Sequence, residues 1–223
     1  MAEQGQGIRS AFAGRLGELA DTVLRMGTFV EAMLGRAMQA LVTQDRELAE
    51  EVRRSDDVAD AFDLEIESVS TRLLATQQPL ARDLRLIIGA VRMGSDLERM
   101  GDYAKDIAKI ARRLSPEPFF CPLEDIPLMA QRVEAMINLA IRCFVNRDLE
   151  AARQVAEMDK AVDELWTRLR NQLMEHMKRD GSLVFQGTHL LLVARYLERI
   201  GDHTVNVVER VHYIETGKLQ HLA

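Results

Sequence analysis

The sequence predicts an all-α protein made of two similar halves, and three observations carry that prediction. Apolar residues recur at spacings of three and four almost throughout, and no segment alternates as a strand would. A six-residue block, Leu97-Glu98-Arg99-Met100-Gly101-Asp102, returns as Leu197-Glu198-Arg199-Ile200-Gly201-Asp202. Turn signals also fall at matching places in the two halves. Composition agrees: hydrophobic residues make up 47% of the 223, aromatics 5%, and only 5 prolines occur. Straight-chain residues lose little rotamer freedom in a helix, so this mix favours one.

The elements follow in order. Thr43-Gln44-Asp45 reads as a short turn with Asp45 capping the next helix. In that helix Val58, Phe62, Ile66, Val69 and Leu73 form an apolar stripe. Gln77-Gln78-Pro79 ends it, because the residue before proline resists the helical region. Four prolines, Pro116, Pro118, Pro122 and Pro127, then mark the clearest linker in the chain. Arg147-Asp148 and Lys178 to Gly181 repeat the turn signals. Leu190, Val193, Leu197, Ile200, Thr204, Val207 and Val211 form a last stripe. The expected division is a first three-helix repeat over 1–114 (with 1–8 flexible), a linker over 115–125 and a second repeat over 126–223.

The duplication extends beyond the six-residue block. Asp45, Glu47, Ala49, Val52, Asp56 and Asp60 match Asp148, Glu150, Ala152, Val155, Asp159 and Asp163 at a constant offset. Such repetition establishes shared structure in the two halves and by itself no more.

Carboxylates dominate the repeated positions. Glu98 and Asp102 are four residues apart, as are Glu198 and Asp202, so each pair stacks on one helix face. Both pairs sit well away from the centre of the apolar stripe and are expected to project away from the core. Asp56/Asp60 and Asp159/Asp163 have the same spacing on the neighbouring helices. Like charges brought together cost free energy unless a cation sits between them. Glu98, Asp102, Glu198 and Asp202 are therefore the leading metal-ligand candidates, and Asp56, Asp60, Asp159 and Asp163 the secondary ones. Oxygen ligands suit magnesium, and several carboxylates can also bridge iron, manganese or zinc. The bland alternative is solvated acids paired with Arg or Lys; Arg99 and Arg199 read as such partners. Asp106 and Glu209 extend the acidic lines without counterparts in the other half.

Other chemistry finds little support. The formal net charge of -6 argues against a nucleic-acid backbone as main partner. Cys121 and Cys143 show no zinc-like spacing, which suits a reducing cytoplasm, and Cys143 reads as a packed thiol. The apolar runs Met136–Ile141 and Leu190–Ala194 fall far short of the ~20 residues of a membrane span. The N-terminus lacks the apolar core of a signal peptide. There is no Walker loop and no nucleophile elbow. A carboxylate-bridged di-metal oxidase expects two Glu-x-x-His pairs; Glu209 and His212 make one, read as an incidental surface pair. His176, His189, His203 and His221 show no repeated ligand spacing, and His203 is expected at the surface. Trp166 reads as core filling.

At these residues the sequence resembles the PhoU family of bacterial phosphate-transport accessory and phosphate-signalling proteins. The resemblance rests on Gln78-Pro79-Leu80-Ala81-Arg82-Asp83-Leu84-Arg85, on Asp96 through Asp102, and on Tyr196 through Asp202. It spans nearly the whole chain, although the second half lacks a good copy of the Gln-Pro block. It implies two tandem three-helix bundles related by pseudo-twofold symmetry. It implies metal binding at Glu98/Asp102 and Glu198/Asp202. It also implies a non-enzymatic, cytoplasmic regulator, at most peripheral to the membrane. Such a regulator links a phosphate ABC transporter ATPase to a phosphate-sensor histidine kinase and damps starvation signalling. A homodimer is expected from the family and from Met-rich helix surfaces. The rival to all of this is a metal-free helical adaptor whose acidic faces dock basic partner segments.

Overall fold

The computed structural model describes residues 2–222, with side chains from residue 11 onward. The expected flexibility of residues 1–8 concerns side chains outside that description. Six long helices follow one another: α1 (Ala2–Thr43), α2 (Arg46–Gln77), α3 (Ala81–Leu114), α4 (Asp125–Asn146), α5 (Leu149–Arg179) and α6 (Val184–Thr216). A single 3₁₀ turn, Gly181–Leu183, leads into α6, and no strand occurs among the described residues. No helix there is long and apolar enough to cross a membrane.

The turns repeat down to individual hydrogen bonds. Asp45 Oδ1 accepts from the Glu47 and Leu48 amides at 2.9 Å. Asp148 Oδ1 accepts from Glu150 and Ala151 at 3.0 and 3.2 Å. The residues before these caps, Gln44 and Arg147, both adopt left-handed backbone with φ of 54° and 58°. Behind them the Asp45 amide donates to Ala40 O and the Asp148 amide to Cys143 O. These bonds close orphan carbonyls at the helix end and offset the cost of a non-glycine residue at positive φ.

Within each half three helices pack together, α1 with α2 and α3, and α4 with α5 and α6; α1 against α4 and α3 against α6 join the halves. The junction is antiparallel and pseudo-twofold. Asp96 meets His203 across it, and the equivalent positions Tyr196 and Tyr103 stack with centroids 5.5 Å apart. Glycine permits the approach in two places. A Cβ on Gly89 would stand 2.6 Å from Ile214 Cδ1, and one on Gly27 would stand 3.0 Å from Ile141 Cγ1. One apolar core runs through both halves, from Leu19, Met26 and Leu34 to Leu197, Ile200 and Val208.

Two details revise the expected pattern. Val58 is 43% exposed and lies off the α2 stripe. The buried face there runs through Val52, Asp56, Ala59, Ile66 and Leu73 instead. The unduplicated Gln-Pro block has a local task. Arg82 binds Glu215 through two nitrogens at 2.6 and 3.2 Å, and Arg85 Nε donates to Ile214 O at 3.0 Å. It clamps the start of α3 to the end of α6. The Pro-rich segment between α3 and α4 is held at its start and middle: Gln44 Nε2 donates to Leu114 O and Glu117 O, and Gln186 bonds the Phe120 amide and Pro118 O.

Candidate metal centre

The repeated carboxylates line two clefts. In the first, α2 presents Asp56 and Asp60 to Glu98 and Asp102 on α3. In the second, α5 presents Asp159 and Asp163 to Glu198 and Asp202 on α6. Mutual repulsion registers the convergence. Burial, then Asp56, Asp102 and Asp57, raise the Asp60 carboxyl against the pull of Lys105. Burial, then Asp102 and Asp60, do the same to Glu98, with Arg99 opposing. The effect is larger in the second cleft. Burial together with Asp163, Asp202 and Glu198 pushes Asp159 up to about 7. Asp163 and Glu198 are also raised, burial first and Asp202 next, with Arg195 opposing in both.

The acids do not simply project into solvent. Asp56, Asp159 and Glu198 are 8%, 6% and 8% exposed. A wheel drawn on one helix places them off its core stripe, but the neighbouring helix covers that side. Asp60 and Asp163 remain exposed at the rims, and Glu98 and Asp102 are half-buried. Glycine makes room for the buried acid of the second cleft: a Cβ on Gly201 would stand 2.9 Å from Asp159 Oδ1. At Gly101 the nearest group is instead the methyl of Ala59, at 3.4 Å.

Basic side chains attend both clefts, differently. Lys105 Nζ bonds Asp102 Oδ1 at 2.7 Å and also bonds Asp56, bridging α3 to α2. Burial alone would lower the Lys105 ammonium's pKa, but the bonds to Asp102 and Asp56 override it and raise it. Arg99 reaches Asp102 at 3.3 Å and Glu98 at 3.5 Å. In the second cleft Arg199 bonds Asp202 at 2.9 Å and Arg195 bonds Glu198 Oε1. Arg195 also lies over the Trp166 ring, 5.8 Å from its centre, so Trp166 is more than core filling. Two buried carboxylate oxygens there, Asp159 Oδ1 and Glu198 Oε2, have no hydrogen-bond partner. A buried anionic oxygen without a partner is costly, and a cation beside either oxygen would offset that cost. The donor set therefore fits a metal ion. As the side chains stand, no three His, Cys, Asp or Glu among the described residues are gathered closely enough to enclose one.

A cavity of about 310 Å³ adjoins the second cleft, lined by Asp159, Arg199, Asp202, His203, Glu209 and His221 among others. Two expectations change here. His203 is not a surface residue: its side chain is 15% exposed and Nδ1 bonds Asp96 at 2.9 Å. Nor is Glu209 part of a surface Glu-His pair. It is 7% exposed, and Oε1 accepts the Leu222 amide at 2.9 Å and approaches His221 at 3.5 Å, which ties down the segment that follows α6.

Against known proteins, the PhoU domain family matches this chain twice, over residues 23–111 and 126–211. The chain belongs to the PhoU family. Among relatives, the Clostridium acetobutylicum PhoU homologue is 42% identical over 211 residues, covering 94% of this chain and 96% of that one. The Aquifex aeolicus PhoU homologue is 39% identical over 204 residues, covering 92% of each. Both carry the name phosphate-specific transport system accessory protein. Crystal structures agree on the fold. PhoU from Pseudomonas aeruginosa superposes with a TM-score of 0.90 at 33% identity, over 93% of this chain and all of that one. The phosphate transport system regulatory protein PhoU from Streptococcus pneumoniae gives 0.88 at 31%, over 94% and 99%. The two PhoU repeats each contain one acidic cleft.

Sequence reasoning missed Lys105, Arg195 and the Asp96-His203 bond. Lys105 was within reach, because it follows Asp102 by three residues on the same helix. Arg195 likewise precedes Glu198 by three. The contacts of Lys105 and His203 across helices had no such local signal.

Proposed function

We propose that this protein is an accessory of phosphate-specific transport: a metal-binding negative regulator that joins a phosphate ABC transporter to a phosphate-sensor histidine kinase. The observation that carries this reading is the pairing of PhoU membership over both halves with a carboxylate cleft in each, one of them holding two unpartnered buried oxygens. The names of the relatives supply the transport system. In this reading Glu98, Asp102, Glu198 and Asp202 are the principal ligands, with Asp56, Asp60, Asp159 and Asp163 completing the sets from α2 and α5. A metal held by these acids would cancel the repulsion across a cleft and fix the spacing of the two helices that form it. A helix pair whose spacing depends on a cation is a two-state element that transporter or kinase contacts could bias. The protein acts in the cytoplasm, as a homodimer.

A second reading has one observation in its favour. Lys105, Arg99, Arg195 and Arg199 already pair many of the acids, as a metal-free adaptor would require. Deletion of the gene separates regulation from other roles: phosphate-starvation genes should be expressed in phosphate-rich medium and silenced again by the wild-type gene. An unchanged response would refute the regulatory role. Complementation by the Glu198→Gln/Asp202→Asn variant would favour the adaptor.

A further inference from the structure

The two clefts differ at one pair of equivalent positions. Counted from the shared Leu-Glu-Arg-x-Gly-Asp block, Lys105 of the first half corresponds to Val205 of the second. Lys105 is three-quarters or more withdrawn from solvent, with a side chain 20% exposed, and its Nζ bonds acids on both helices, Asp56 of α2 and Asp102 of α3. An ammonium in that position does what a bound cation would do: it neutralises the cleft and ties one helix to the other.

Val205 can do neither. It lines the cavity of about 310 Å³ beside Asp159 and Asp202. The buried carboxylate oxygens without partners, Asp159 Oδ1 and Glu198 Oε2, both belong to this half; in the first half Asp56, the counterpart of Asp159, bonds Lys105. Arg195 is no substitute for the lysine. It bonds Glu198 Oε1 and Arg199 bonds Asp202, both on α6 and from side chains 43% and 40% exposed; Arg195 reaches Asp163 of α5 through its charge alone, so neither bridges the two helices as Lys105 does.

We propose that the chain carries one built-in cation and one open cation site: Lys105 fills the first cleft, and a divalent metal ion enters the second, between α5 and α6 beside Val205. The proposal rests on the metal-binding reading above and sharpens it, since it makes the halves unequal despite their shared ligand motif. Asp159 and Glu198 supply the unpartnered oxygens, and Asp163 and Asp202 the remaining charge.

The test is a Mn²⁺ titration of the full chain, with bound ion counted from the loss of the free-ion magnetic resonance signal. The emission of Trp166, the only tryptophan, serves as local reporter because Arg195 connects its ring to Glu198. Asp159→Asn/Glu198→Gln should weaken Mn²⁺ binding at least tenfold and silence the Trp166 response. Val205→Lys should abolish binding, and Lys105→Val should add a second class of sites to which Trp166 is blind. Circular dichroism checks that each variant is folded; if Lys105→Val is not, Val205→Lys and Asp159→Asn/Glu198→Gln still decide. Wild-type binding by Val205→Lys, or a folded Lys105→Val chain that gains no further sites, would overturn the asymmetry while leaving metal binding intact. A wild-type chain that binds no Mn²⁺ and shows no Trp166 change would overturn the metal reading and this inference with it.

Discussion

Replacing Asp159 with asparagine removes a charge from the place where the fold tolerates it least. In the metal-free protein, burial and then Asp163, Asp202 and Glu198 push this carboxyl from 3.8 to about 7. At ~1.4 kcal/mol per pH unit, holding it ionised costs about 4 kcal/mol as an upper bound. Solvent screening and relaxation around the charge reduce that to about 2–4 kcal/mol. The sign follows from linkage. The native state holds this proton more tightly than the unfolded chain, so its stabilising effect is complete below about pH 4. It is lost as the pH rises to about 7 and stays lost above. The asparagine side chain would keep the shape of the protonated acid at every pH. The variant should therefore match wild type near pH 4 and exceed it at pH 8 by about 2–4 kcal/mol, or roughly 5–10 °C in Tm. Urea unfolding at several pH values in the presence of a chelator measures this. The reasoning fails if the wild-type-minus-variant difference does not change between pH 5 and 8, or if the variant is the less stable protein at pH 8.

Other consequences are simpler to state. Lys105→Met leaves Asp56 and Asp102 facing each other without their ammonium, and should cost about 2–4 kcal/mol in denaturant unfolding. Gly89→Leu drives a side chain into Ile214 at the junction of the halves and should cost about 1–3 kcal/mol or more; thermal melting reads it. Cys143 is fully buried and its thiol is pushed up to about 12 by burial and then by Asp148, whereas Cys121 is half-buried. A thiol reagent at pH 8 should therefore label Cys121 in the native protein and Cys143 only on unfolding, as mass spectrometry of the labelled peptides would show.

The fold was legible because its signals are local and repeated. Asp45 and Asp148 announce their caps by residue type, Pro79 and the prolines from Pro116 to Pro127 announce breaks, and the six-residue block announces the duplication. The candidate acids were legible for the same reason, as carboxylates at a spacing of four. Their burial was not. A helical wheel measures Glu198 against the stripe of α6 alone, while α5 lies across the other side and covers it. The stripe of α2 was misplaced at Val58 because Ala59 and Asp56 carry the buried face there, and neither residue type proclaims it. The role of Lys105 needs Asp56, on another helix, before it can be seen. The Asp96-His203 bond and the retention of Leu222 by Glu209 likewise join residues distant in sequence.

Anomalous diffraction from crystals of the full chain soaked in Mn²⁺ tests the account most directly. The account predicts a peak between α5 and α6, within coordination distance of carboxylate oxygens of Asp159 and Glu198, and none where Lys105 joins Asp56 to Asp102. Soaks at saturating ion that show no peak between α5 and α6, or a peak of equal height in the first cleft, would contradict it.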